Sequence, residues 1–193
     1  MLRFDVYLDG GSEPLALDGA YAFGQDGIPM RADLAAADGL LSCVKRAPGA
    51  CGVALPWEAG AAGRLLLPTT RLPERREPYS LNVEMARAQM ARVAQKREEW
   101  GLFDYAGGAE INEEFARVRE AFLEALAAAD PAAAAAHADR ALAEGLVLGE
   151  RMALFHADIL RGRRKKDAGG RFGCTVDLAD TGPAYLERLL ACA

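Results

Sequence analysis

Two histidines, four cysteines and 28 carboxylates are the side chains of this 193-residue chain able to move protons, hold a metal or attack a substrate. His156 lies in "LFHADIL" with Asp158 two residues on; on a helix two such residues point to different faces, so they form no local dyad. The reading is a hydrogen-bonded core or interface histidine, since catalysis would need partners that the sequence does not display. His137, in "AAAAAHADR", stands earlier on the same helical stretch. It is roughly 28 Å away at helical rise, so the two cannot share one metal, and a surface position is expected for it. Cys43, Cys51, Cys174 and Cys192 contain no CxxC pair, which argues against a zinc site or a disulfide framework and for buried free thiols. Glu98-Glu99 and Glu113-Glu114 are adjacent pairs, and neighbours on a helix do not converge on one bond as a glycosidase pair must. The glycine-rich "FGQDG" and "AGAAG" lack the strand and helix that flank a dinucleotide loop, and no GKS or GKT occurs. No catalytic residue, metal or cofactor is predicted.

Aromatic side chains offer a different chemistry. Tyr21, Trp57, Trp100 and Tyr105 stand in polar or turn surroundings and are the candidate faces for stacking a sugar ring. Ordinary core and interdomain packing is the competing reading for each of them.

Bulk properties narrow the partners. A net charge of -5 opposes nucleic acid or an anionic membrane, both of which demand a positive field. The basic run Arg161, Arg163, Arg164, Lys165, Lys166 reads as a solvated helix end, where positive charge is favoured by the dipole. No run of about 18 apolar residues is present to span a bilayer, and "MLRFDVYLDG" lacks the pattern of a signal peptide. Cytoplasmic is therefore the default location.

The elements that must position these residues fall into two styles. Up to about residue 75 the pattern is β-like. Leu2, Phe4, Val6 and Leu8 alternate with polar residues before the Asp9-Gly10-Gly11 turn. Asp38-Gly39 calls for a hairpin between strands near 30–36 and 40–46. "CGVALPWEAG" and "GRLLLPTTRL" supply further short strands, so residues 1–75 are expected to form a small antiparallel β-sandwich, jelly-roll-like.

Residues 76–166 are expected to carry three helices, two of them long and antiparallel. Ser80 is the N-cap of the first, with Val83, Ala86, Met90, Val93 and Trp100 on its apolar face and Gly101 at its end. The second uses Ile111, Phe115, Val118, Phe122 and Leu126. Asp130-Pro131 opens the third, whose apolar face is expected at Leu142, Leu146, Gly149, Ala153, His156 and Leu160. Within it Gly145 and Gly149 form a GxxxG string that lets a neighbouring backbone approach. Residues 167–193 read as a linker followed by an orphan strand and the start of a helix. The fold class is thus α+β with segregated halves.

Three stretches, "TTRLPERREPYSLNVEMARAQMARVAQKREEWGLFDY", "ERMALFHADILRGRRKK" and "RFGCTVDLADTGPAYLERLLACA", together resemble the N-terminal region of bacterial glycoside hydrolase family 10 proteins. These are endo-1,4-β-xylanase-like enzymes in which a β-domain and long helices precede a catalytic barrel. On that resemblance Phe172 to Val176 is the first strand of a (β/α)8 barrel, and Tyr185 to Leu190 begins its first helix. The family's acid/base and nucleophile glutamates sit on later barrel strands, so no catalytic residue carries over. The resemblance implies a non-catalytic accessory region, truncated at the start of the missing barrel. Its role would be to bind plant polysaccharide such as xylan through Tyr21, Trp57, Trp100 or Tyr105, or to brace the barrel. The alternative is a helical interaction or homo-oligomerisation module with no glycan role, argued from the long third helix and its GxxxG string.

Overall fold

The computed structural model describes residues 1–8, 15–105, 107–163 and 187. The Asp9-Gly10-Gly11 turn, Cys174, Cys192, the Arg164-Lys165-Lys166 run and the expected strand Phe172 to Val176 with the helix start at Tyr185 lie outside the described residues. Among the described residues the chain is α+β, with two four-stranded sheets and three α-helices. Met1–Ile159 is one compact unit and Leu160–Ala193 another. The change of composition near residue 75 marks the passage from sheet to helix within the first unit.

β1 (Leu2–Asp5) carries the alternation expected of it: Leu2 and Phe4 are fully buried, while Arg3 and Asp5 are half-buried. β2 (Tyr21–Phe23) and β3 (Pro29–Met30) are too short to leave a periodic signal. β4 (Ala32–Ala37) and β5 (Leu40–Lys45) form the hairpin read from Asp38-Gly39. Ala37 pairs with Leu40, and Asp38 and Gly39 between them both take positive φ, 50° and 74°. That is the left-handed pair a tight hairpin turn requires. β6 (Gly52–Glu58), β7 (Arg64–Pro68) and β8 (Tyr79–Ser80) follow.

One sheet has the order β4-β5-β1-β8 and the other β3-β2-β6-β7. The pairing is not wholly antiparallel, because β8 lies parallel to β1 through Phe4–Tyr79 and Asp5–Ser80. A parallel pair needs a long crossover, and here the remaining six strands supply it. Tyr79 is thereby buried beside Phe4, ring centroids 6.0 Å apart, and the first helix starts at the end of a strand.

α1 (Leu81–Glu99) begins where expected. The Ser80 hydroxyl accepts from the Val83 N–H at 3.4 Å, and Gly101 leaves the helix in the left-handed region at φ 60°. α2 (Ala109–Ala127) buries Ile111, Val118, Ala121, Phe122 and Ala125. Leu126, expected on that face, is largely exposed, and Ala125 takes its place.

α3 (Pro131–Arg163) opens as predicted, with the Asp130 carboxylate accepting from the Ala133 N–H at 2.9 Å. Its buried face is a correction: Ala135, Ala138, Ala141, Leu142, Gly145, Leu148 and Met152 point inward, while Ala153 and Leu160 are exposed. Following the large apolar residues misplaces the phase, because the packed stripe is built from alanine and glycine. A Cβ on Gly145 would stand 3.2 Å from Gln89 Cγ and 3.5 Å from Val118 Cγ1. Close approach at the GxxxG string is therefore real, but the neighbour that uses it is the Gln89 side chain, which donates to the Gly145 carbonyl at 2.9 Å.

Apolar burial is organised in two clusters. The larger joins Leu2, Phe4, Leu41, Val53, Leu55 and Trp57 of both sheets to Leu81, Met85, Phe122 and Leu142 of the helices. The smaller holds Val93, Leu102, Ile111, Val118, Leu148 and Met152, with Trp100 and Phe155 packed against it. Each fully buried large side chain contributes about 1.5–3 kcal/mol relative to an exposed one.

Candidate functional site

A cleft of about 630 Å³ opens beside the end of β1, the β6–β7 turn and the first turns of α3. Tyr7, Trp57, Glu58, Arg64, Asp139 and Arg140 are among its lining residues. Each has a local reason to be there. Trp57 and Glu58 end β6, where Trp57 pairs with Leu65 and Glu58 with Arg64 across the ladder. Arg64 Nε lies 3.9 Å from Glu58 Oε1, and both side chains are well exposed. Asp139 and Arg140 follow from the Asp130-Pro131 start of α3, which sets the phase of its first turns. Arg140 reaches back to Glu124 at the end of α2, and His137 Nδ1 lies 3.1 Å from the same carboxylate.

Asn82 is the buried residue that fixes this geometry. Its amide is wholly inaccessible to solvent. The oxygen accepts from the Tyr7 N–H at 3.2 Å, and the nitrogen donates to the Tyr7 carbonyl at 2.8 Å and to Asp139 Oδ2 at 2.8 Å. One side chain at the start of α1 thus acts as a strand edge for β1's continuation and holds the α3 carboxylate that lines the cleft. Beside it, Glu84 is held by the Thr70 hydroxyl at 2.6 Å and by Arg87 at 3.2 Å.

The four candidate aromatics are placed differently. Trp57 lines the cleft but is only 5% exposed and belongs to the larger core cluster. Tyr21 pairs with Ala54, three residues before Trp57, so the alternation of β6 sends the two rings to opposite faces. Tyr21 makes an edge contact with Phe23 at 6.4 Å. Trp100 stacks on His156, centroids 4.7 Å apart and planes within 13°, with Lys96 Nζ 5.7 Å from the ring. Tyr105 follows a short turn of helix at Leu102–Asp104 and is half-buried. His156 accordingly has an aromatic partner in Trp100. His137 lies toward the surface in the first turns of α3.

Asn82, Tyr7, Arg64 and Arg140 were not singled out by the sequence, and no local signal marks them. Asn82 meets Tyr7 across 75 residues and Asp139 across 57. Among the described residues no group of three or more His, Cys, Asp or Glu is gathered that could hold a metal ion. The cleft can donate from guanidinium groups and accept at carboxylates.

Cys43 and Cys51 are both fully buried. Burial first, and then the neighbouring Cys51 thiol, push Cys43 up from 9.0 to about 12. The folded chain thus keeps a proton that the unfolded chain releases. This contribution to stability is complete below about pH 9 and is lost as pH climbs toward about 12. Thermal melts across that window should show the wild type losing Tm faster than Cys43→Ala; parallel losses would refute the assignment.

No family model, curated protein or solved structure matches this chain.

Proposed function

We propose that this chain is a non-catalytic binding module whose ligand site is the cleft at Trp57, and that its ligand is a hydroxyl-rich polymer such as xylan. The observation that carries the reading is the combination of Tyr7, Trp57, Glu58, Arg64, Asp139 and Arg140 around one opening. Carbohydrate recognition relies on such planar hydrogen-bonding groups, which match the hydroxyls of a sugar. The ligand class comes from the resemblance to xylanase-like proteins, in which the region would also brace the catalytic barrel.

The reading extends to the architecture that forms the cleft. We take the two sheets as the faces of a jelly-roll-like sandwich, since Leu2, Phe4, Leu41 and Cys43 of one and Ala22, Val53, Leu55 and Leu67 of the other share a single core cluster. Antiparallel packing of α2 and α3 is supported by contacts whose residue numbers rise on one helix as they fall on the other: Glu124 with Arg140, Val118 with Gly145, Glu114 with Arg151.

Isothermal titration with xylo-oligosaccharides tests the site. Arg64→Ala and Arg140→Ala remove half-exposed side chains, which costs about 0.5 kcal/mol of stability or less. Each is expected to weaken binding tenfold or more, that is, by about 1.4 kcal/mol. Absence of heat with every glycan, or binding indifferent to both variants, would rule the site out.

A second reading, a helical interaction module, is favoured by the exposure of Val147 and Leu154, seven residues apart on α3, and of Leu123 and Leu126 on α2. Sedimentation at several concentrations separates it from the first, since a strict monomer leaves this face without a second copy.

A further inference from the structure

β4 is an edge strand: it pairs with β5 on one side, and on the other it meets no strand among the described residues. Its six residues run without a bulge, from Ala32 opposite Lys45 to Ala37 opposite Leu40. Ala37 and Leu40 flank the two-residue turn, and a pair in that position exchanges both of its backbone hydrogen bonds. The bonds to β5 therefore belong to Asp33, Ala35 and Ala37, and the N–H and C=O groups of Ala32, Leu34 and Ala36 point away from the sheet. The side chains alternate in step. Ala32, Leu34 and Ala36 are half-buried against the main core, while Asp33, Ala35 and Ala37 are exposed.

Sheet edges are commonly blunted by a lysine, a proline or a bulge, because a row of unmet backbone groups is a template for another strand. β4 has none of these, and Asp33 is its one charge. The rest of its exposed face is alanine, so no bulky side chain holds a second strand away. We propose that β4 is a self-association edge, through which two copies of this chain join antiparallel about Leu34 and merge their β4-β5-β1-β8 sheets. An antiparallel pair related by a two-fold axis sets one residue opposite itself. With Leu34 in that place, Ala32 of each copy faces Ala36 of the other, and the outward groups of all three residues find partners, roughly six backbone hydrogen bonds in all. Asp33 then faces Ala35 of the second copy, and the two half-buried Leu34 side chains cover one another. The neighbouring registers are worse. An axis at Asp33 sets two carboxylates face to face, and an axis at Ala35 runs the pairing into the Asp38-Gly39 turn, whose backbone is left-handed. This edge is independent of the ligand reading, since none of Ala32–Ala37 lines the cleft.

Sedimentation velocity of the full-length chain at rising concentration should show a reversible monomer–dimer equilibrium. Amide exchange at Ala32, Leu34 and Ala36 should slow as the dimer fills. Ala36→Pro removes an outward N–H from each copy at a site where an edge strand tolerates proline, so it should stay folded and dimerise about tenfold more weakly or worse. Ala35→Asp and Ala35→Lys test the register from the exposed face of the strand. Opposite Asp33 of the second copy, the aspartate should weaken the dimer and the lysine tighten it, each by roughly two- to thirtyfold over the two symmetric contacts. Circular dichroism and thermal melts check that each variant is folded, and the Ala35 pair decides the matter should Ala36→Pro unfold. A monomer at every concentration would overturn the proposal, as would a dimer that both Ala35 charges weaken alike. A dimer indifferent to all three substitutions would also overturn it and move the contact to another surface, such as the exposed residues of α2 and α3.

Discussion

Asn82→Ala is expected to destabilise the protein by about 3–5 kcal/mol, although it removes only a small polar side chain. Asn82 is fully buried, and its amide serves the Tyr7 N–H, the Tyr7 carbonyl and Asp139 Oδ2 together. The substitution deprives two backbone groups of a partner and takes a donor from a carboxylate. An unmet buried polar group costs about 1–3 kcal/mol, more where a charge is involved, so three losses at one position dominate the small change in volume. Chemical denaturation with an unchanged m value should report the loss. Asn82→Asp keeps the shape but sets a second carboxylate against Asp139, so it should be at least as damaging. If Asn82→Ala costs under about 1 kcal/mol, the amide is not the strut described here.

The second large effect is at Trp57. Trp57→Ala should lose about 3–5 kcal/mol, since the ring is 5% exposed and packed in the main core beside the cleft it lines. Trp57→Phe, which keeps an aromatic in the same space, should lose about half of that or less. Urea melts of the two variants decide the matter, and equal, small losses would mean the ring is a surface platform. The distinction governs how binding experiments are read: failure of Trp57→Ala to bind xylan would reflect a damaged core as readily as a missing contact. Arg64 and Arg140 are the cleaner probes.

Local chemistry made much of the fold legible in the amino-acid sequence. A hairpin turn needs two residues at positive φ, and Asp38-Gly39 declares them. A helix start needs an acceptor for its free N–H groups, and Ser80 and Asp130 provide one each. Alternation over Leu2 to Asp5 marks a half-buried strand, and Gly101 marks a helix end. All of these are settled within a few residues of chain, so the α+β character and the helix boundaries could be read directly.

The candidate site was legible only in part. Trp57 was chosen for being aromatic in a polar setting, and it does line the cleft, but mostly as a core residue. Tyr21 and Trp57 fall on opposite faces of one sheet because pairing places Tyr21 beside Ala54. Trp100 is taken up by His156, a partner 56 residues away that helix packing alone brings to it.

What the sequence by itself determined is therefore the three helices, their caps, the longer strands and the one turn, all of which follow from backbone sterics and hydrogen bonding over short spans. Tertiary structure decided the rest: the alanine-glycine face of α3, the Gln89 and Asn82 amides, and the parallel seat of β8 beside β1. Small residues score weakly as apolar, and a buried amide resembles an exposed one in the sequence. Only close packing between distant segments turns the first into an interface and the second into a strut.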